Sequence, residues 1–340
     1  MGLINLDNFG QYGVIQDTAA ESLPINAFTD ALNVRFTGFQ VEKILEPSNL
    51  VSDSTGRPAL PAGATECVFT LTWSDALSTY LMAVFRNEDG SDYAYRWDQR
   101  AESPSSTTIP VVWEQIGGPY NQGPWQGFEW GETFIVNNGG QAPQIFDRKV
   151  QALIDLPEWG LISTSDDILN NSAPSNDTRA TCRMIIPLKN YLVALNVRES
   201  GDFSPNTVWW SNPAGAASVD QAPSWDYQSP STLSAQAQAG IGYGNIVTAL
   251  PLNDNLIIYT DGDATAMSIV GGRFVMGFRR LFNKGAAGLN SVAEFNNRHY
   301  VVARDQIYIH DGSKPELIAK DRVKREFYKR LGAEDSPDFR

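Results

Sequence analysis

Chemistry needs polar side chains gathered in a particular pattern, and this chain of 340 residues offers few such patterns. Its two histidines, His299 and His310, each fall in a run of alternating apolar residues, with no cysteine nearby and no helical spacing between them. A structural or catalytic metal wants three or four ligands brought together, so this pair predicts half-buried strand histidines and no metal centre. Cys67 and Cys182 are the only cysteines, and each lies in an apolar run. Buried free thiols are expected of both; a disulfide between them stays open, but two cysteines do not make a disulfide scaffold. No G-x-S-x-G elbow, Walker loop or H-E-x-x-H pair occurs. Gly240-x-Gly242-x-Gly244 has the look of a phosphate cradle, yet it precedes a strand pattern and opens no helix whose dipole could hold an anion.

Acidic turns are the next candidates. Asp89-Gly90-Ser91-Asp92 and Asp261-Gly262-Asp263 could offer oxygens to Ca²⁺, but neither continues to the glutamate that an EF-hand loop requires. Asp-Gly is also common hairpin-turn chemistry, and that is the reading adopted for both. The nine tryptophans could stack on sugars. Trp97, Trp113, Trp130, Trp209 and Trp210 fall on predicted strands and are read as packing. Trp125 and Trp225 lie in Pro-flanked loops, better placed for a surface role, but core or loop-anchor packing is the favoured account for the whole set. A carboxylate pair of the glycosidase kind cannot be picked out among 39 acidic residues. Lys320, Arg322, Lys324, Arg325, Lys329 and Arg330 form a basic cluster, read as the solvated face of a helix, with an acidic partner or nucleic acid as the alternative.

The elements carrying these residues are short strands. From about Val68 to Lys320 apolar residues come in alternating or β-branched runs separated by Gly, Pro, Asn and Asp. Val68–Trp73, Tyr80–Phe85, Thr133–Val136, Tyr191–Val197, Leu256–Thr260 and Gln306–His310 are the clearest. A weak repeat runs through them: strand, polar turn, strong apolar strand, second turn, strand with alternating large residues. Its clearest copy is Ser291–Gly312, turning at Asn296-Asn297. Others turn at Asn253-Asp254-Asn255, Lys189-Asn190 and Gly131-Glu132, and the first copy spans Val68–Ile116. Five units at roughly 45 to 65 residues suit four-stranded propeller blades, with a pair of β-sandwiches as the rival.

The predicted fold class is therefore all-β, a β-propeller-like array of short antiparallel sheets. Residues 1–65 form an extended N-terminal arm with first strands, and residues 66–320 the propeller-like domain. Residues 321–340 form a short C-terminal helix and tail, in which Val323, Phe327 and Leu331 share one face ahead of Gly332. With 26 basic and 39 acidic residues the formal net charge is -13, which disfavours non-specific binding to nucleic acid or anionic membrane. The N-terminus has no secretory pattern, and no apolar stretch approaches the roughly 20 residues of a membrane span.

Two stretches carry a resemblance. Asn5–Asp17 continues through Leu23-Pro24-Ile25-Asn26 and Asn33-Val34-Arg35-Phe36 to Glu42-Lys43-Ile44. Ile269–Phe282 and Gly285–Asn290 run on through His299–Val302 to Gln306–Gly312. Together they resemble the tail tube or nozzle (tail tubular B-like, DNA-stabilisation hub) proteins of short-tailed bacteriophages. The resemblance covers about a third of the chain. It implies a non-enzymatic virion protein made in the host cytoplasm, a ring of usually six copies below the portal and adaptor. That ring would pass and retain double-stranded DNA without specific binding and would contact tail fibres. No cofactor, metal or catalytic residue is expected. Asn8, Tyr12 and Gln16 in the arm, and Arg322, Lys324 and Arg325 in the helix, are the expected assembly contacts. Members of that family generally run longer, so a shorter member and the first part of a longer product both fit. The alternative from another class is a propeller that binds or cleaves a host surface glycan; a cytoplasmic propeller scaffold is a third.

Overall fold

The computed structural model of the protein describes residues 60–74, 79–98, 113–170, 180–199, 202–215, 223–238, 244–272 and 274–318, with shorter stretches between 12 and 43 and at 172, 176–177, 324 and 327–328. The chain is mostly β. In the N-terminal region, β1 (Val34–Thr37) and β2 (Gln40–Lys43) pair as a hairpin, and Val14 makes an isolated parallel bridge to Phe28. Five four-stranded antiparallel sheets dominate the rest, each a meander of consecutive strands.

The first sheet is β3 (Ala64–Ser74), β4 (Thr79–Asn87), β5 (Asp92–Asp98) and β6 (Glu114–Tyr120). The second is β7 (Gln126–Trp130), β8 (Thr133–Asn137), β9 (Gln144–Asp147) and β10 (Ala152–Asp155). A small pair, β11 (Leu161–Ile162) and β12 (Asn176–Asp177), flanks the helix α1 (Ser165–Asn170). The third sheet is β13 (Thr181–Leu188), β14 (Tyr191–Glu199), β15 (Asp202–Trp210) and β16 (Ala235–Gln238). The fourth is β17 (Ile246–Leu252), β18 (Asn255–Thr260), β19 (Ala264–Ile269) and β20 (Met276–Phe282). The fifth is β21 (Val292–Phe295), β22 (Arg298–Val302), β23 (Ile307–His310) and β24 (Glu316–Leu317).

The five predicted units correspond to these five sheets, and the tight turn between first and second strands recurs in four of them. Gly131, Lys189, Asn253 and Asn296 each open a two-residue turn with φ of 62°, 55°, 55° and 51°. A positive φ at this position matches the right-handed twist of a hairpin, and Asn and Gly take it at least strain.

Each sheet packs face to face on the next in chain order, with one apolar cluster per junction. Trp73, Met82 and Val84 meet Phe134 and Phe146 between the first and second sheets. Ile135 and Ile145 meet Ile185, Leu192 and Trp209 between the second and third. Leu195, Val208 and Trp210 meet Leu256, Ile258 and Met267 between the third and fourth. Ile257 and Ala266 meet Val292, Val301 and Tyr308 between the fourth and fifth. This explains why β8 and β18 read as unbroken apolar runs. Successive side chains point to opposite faces, and in a middle sheet both faces are core: Leu256 and Ile258 enter one cluster, Ile257 and Tyr259 the other. In the fifth sheet the alternation returns, with His299 and Val301 buried while Arg298 and Tyr300 are exposed.

Some expectations need correction. Trp125 and Trp225 are buried, 7% and 0% exposed, so the surface role considered for them gives way to the favoured reading of loop residues anchored in the core. Trp225 fits edge-on between Trp159 and Trp209, at 4.7 and 5.4 Å between ring centres. Cys67 is exposed, because β3 is largely exposed around it, while Cys182 is buried; both are free thiols. Trp113 lies just before β6, and Gln306 just before β23. The helix at Asp321–Leu331 and Gly240-x-Gly242 lie largely outside the described residues; Lys324, Phe327 and Tyr328 are helical.

Candidate functional site

The two histidines, far apart in the sequence pattern, are direct cross-strand partners of β22 and β23. They are 0% and 3% exposed, deeper than the half-burial expected of them. Alternation points both inward, onto the fourth sheet, where the penultimate residue of β18 is Tyr259. Its hydroxyl sits 2.8 Å from His299 Nδ1 and 2.5 Å from His310 Nε2. His299 Nε2 lies 2.9 Å from the carbonyl oxygen of Pro251 in β17. His310 Nδ1 accepts from the backbone N–H of Gly312 at 3.0 Å.

These neighbours assign the tautomers. A carbonyl only accepts, so His299 carries its proton on Nε2 and its Nδ1 accepts from Tyr259. A backbone N–H only donates, so His310 carries its proton on Nε2 and donates to the Tyr259 oxygen. Every ring nitrogen is then paired, and the Tyr259 hydroxyl both donates and accepts, with both imidazoles neutral. Burial holds the His299 imidazole below its ordinary range. Burial, then the neighbouring His299, pushes His310 down to about 4. Burial raises the Tyr259 hydroxyl, so the phenol stays protonated. The cluster can order one sheet against another, and His310 also lines a small opening of about 50 Å³ with Arg298, Asp311, Lys314 and Glu316.

A second feature is an open cavity of about 300 Å³ beside α1. Its wall includes Glu158, Ser163, Asp167, Asp226, Ser229 and Thr232. Asp167 closes a reciprocal cap with Thr164: the Thr164 N–H donates to its Oδ2 at 2.8 Å, and the Asp167 N–H donates to Thr164 Oγ1 at 3.2 Å. Asp226 accepts from the Ser163 hydroxyl and from the N–H groups of Gln228 and Ser229 at 3.1 and 3.2 Å. The cavity is thus lined by hydroxyls and carboxylates together with the apolar Ile168 and Pro230. Among the described residues no group of three His, Cys, Asp or Glu is placed to hold a metal ion.

The acidic turns have structural work. Asp89 Oδ1 accepts from the Ser91 N–H at 2.8 Å, and Asp92 accepts from Arg86 Nε at 3.0 Å and Trp125 Nε1 at 2.8 Å. Asp263 is buried; it accepts from the Thr260 hydroxyl at 2.7 Å and lies 2.9 Å from the Arg280 guanidinium.

Further polar ties join successive sheets. Asn137, at the end of β8, donates to the Cys182 carbonyl of β13 at 2.9 Å. Asn196, in β14, donates to the Ile246 carbonyl of β17 at 3.0 Å. Sequence reading missed both, although each follows the apolar run of a second strand, Phe134-Ile135-Val136 in one case and Val193-Ala194-Leu195 in the other.

Of the expected assembly contacts, Tyr12 is exposed in a turn two residues before the bridge at Val14, and Lys324 is exposed on a helical turn. Tyr328 donates its hydroxyl to the Ala303 carbonyl at 2.6 Å, tying that turn to the fifth sheet. Asn8, Gln16, Arg322 and Arg325 lie outside the described residues. Large apolar side chains are exposed elsewhere: Phe274, at 74%, on the hairpin between β19 and β20, and Phe295, at 61%, with Tyr300 beside it on the outer face of the fifth sheet. No helix of the described residues is long and apolar enough to cross a membrane.

No family model matches the chain, and no curated protein matches it. One solved structure similar to it is the extracellular domain of a hybrid two-component system from B. thetaiotaomicron, at 10% identity and a TM-score of 0.28. The alignment covers 78% of this chain, which spans only 34% of the other, and a likeness this distant carries no argument.

Proposed function

We propose that the chain is a structural, non-enzymatic subunit in which the five sheets act as blades of a propeller-like array, and that it belongs to the tail nozzle of a short-tailed bacteriophage. The observation that carries the structural part is the succession of five meander sheets stacked face to face in chain order, with buried polar groups spent on tying one sheet to the next. Stacked blades of this kind hide sheet edges and give a stiff body. The nozzle part rests on the resemblance of Asn5–Ile44 and Ile269–Gly312 to such proteins. On this reading the subunit forms a ring of six below the portal and adaptor, contacts tail fibres, and lets double-stranded DNA pass an acidic wall without sticking.

The test is the mass of the purified protein in solution, alone and with portal and adaptor. Joining that platform in a defined ring stoichiometry is the expected result; indifference to it overturns the nozzle assignment. The hydroxyl- and carboxylate-lined cavity beside α1 favours a second reading, a module that binds a neutral polyhydroxylated ligand such as a surface glycan. A glycan array with Asp226→Ala as control separates the two, since a nozzle subunit should be silent on it.

A further inference from the structure

The Tyr259, His299 and His310 cluster spans the junction of the fourth and fifth sheets: the tyrosine and the Pro251 carbonyl come from the fourth, both histidines from the fifth. We propose that this cluster is a pH-sensitive latch, which holds the fifth sheet to the fourth while both imidazoles are neutral and loosens it when either takes a proton.

The reasoning is geometric. A proton added to His310 must go on Nδ1, which faces the Gly312 N–H at 3.0 Å, so two hydrogens would then occupy one hydrogen bond. A proton added to His299 must go on Nδ1, facing the Tyr259 oxygen at 2.8 Å. That oxygen already accepts from His310, so the phenol hydrogen would lose its acceptor inside the cluster. Protonating both would place two cations with ring centres 5.4 Å apart. An unpaired buried donor is costly where water cannot reach it.

The charged groups around the cluster do not relieve this. Glu294 on β21 stands opposite His299 in the register, but it is exposed and its Oε1 accepts from the Asn297 N–H at 2.9 Å. Asp311, next to His310, is exposed and accepts from the Ser313 N–H at 3.1 Å. Arg298 precedes His299 on the exposed side of β22, and with the exposed Lys314 and Glu316 it lines the small opening beside His310, so cations and carboxylates both stand there. Lys284, after β20, donates to Gln306 at 2.7 Å, and the Tyr308 hydroxyl donates to the Gly285 carbonyl at 3.0 Å. From β20 the Phe282 ring meets His310, at 4.9 Å between ring centres. Glu294 and Asp311 favour the imidazolium, yet burial outweighs them at both histidines.

The sign follows. Both imidazoles are held below their unfolded range, so the stabilisation is complete above about pH 6.5 and is lost as pH falls toward the folded value. With His310 at about 4, that residue alone should raise the opening constant of the junction about twentyfold between pH 7 and pH 5, and His299 adds to the rise in the same direction.

Two measurements on the intact chain decide it. Nitrogen-15 NMR of labelled histidine reads both tautomers directly, since there are only two histidines. Nε2–H is expected in both at pH 7, and an Nδ1–H form, or titration near 6.5, overturns the latch. Hydrogen exchange, corrected for intrinsic rate, should show β21–β23 amides losing protection at least about twentyfold from pH 7 to pH 5 relative to β14. A variant carrying His299→Gln and His310→Gln should lose that pH dependence. A flat wild-type profile, or a drop that persists in the variant, overturns the proposal; should the variant not fold, the NMR result on the wild type decides alone.

Discussion

Replacing Asn196 with alanine should weaken the joint between the third and fourth sheets. Asn196 is 5% exposed, its amide donates to the Ile246 carbonyl at 3.0 Å, and its backbone sits at φ 55° beside the bulge in β14. Removing the amide deletes a buried bond between sheets, a loss of about 1–3 kcal/mol when the remaining group goes unsatisfied. Alanine also tolerates the left-handed region less well than asparagine, adding about 1 kcal/mol. The expected total is about 3 kcal/mol, a shift of about 1 M in the urea midpoint if the slope is about 3 kcal/mol/M. Asn196→Gly keeps the backbone relaxed while losing the same bond, so it should be less damaging than alanine by about 1 kcal/mol. Asn196→Asp keeps the shape but turns a carboxylate oxygen toward a carbonyl, and should be worse than both. Urea unfolding followed by circular dichroism, with the slope checked for constancy, measures all three. An alanine variant within about 0.5 kcal/mol of the parent would refute the tie as a stabilising contact. Glycine and alanine losing equally would refute the backbone part.

Two other outcomes follow from buried and exposed groups. Asp92→Ala should destabilise by about 1–3 kcal/mol, because it leaves the Trp125 indole N–H without its acceptor, while Arg86 keeps Glu66 at 3.3 Å, with Asp92→Asn milder; thermal unfolding of both variants checks the order. A maleimide should label one thiol in the native protein and two after unfolding, because Cys67 is exposed whereas burial both hides the Cys182 thiol and raises its pKa; two labels in the native state would contradict the packing of β13.

Much of the fold was legible because turn chemistry and strand pattern agree. Lys189-Asn190, Asn253-Asp254 and Asn296-Asn297 mark the hairpins, and the apolar runs between them mark second strands. Burial was less legible. Trp125 and Trp225 sit in loops that fold back into junctions, and no local pattern distinguishes such a loop from one that stays at the surface. Cys67 shows the converse: an apolar run on an edge strand does not guarantee cover. The histidine cluster was illegible for a different reason. His299 and His310 meet through strand register, and Tyr259 reaches them from another sheet, so the contact is set by pairing and stacking and not by sequence spacing. The inter-sheet asparagines were hidden likewise, since their partners are backbone carbonyls with no sequence signature.

Among the described strands, every pairing joins neighbours in chain order. Such a chain has a bearing on its synthesis. Each sheet is complete as soon as its own segment has left the ribosome, and each finds its packing partner already folded on the side made earlier. None of the described strands must wait, exposed, for a mate from a distant part of the chain, which is the step that makes many β proteins slow to fold and prone to aggregate. Growth from one terminus, sheet by sheet, would suit a protein that must be produced in many copies within a short time.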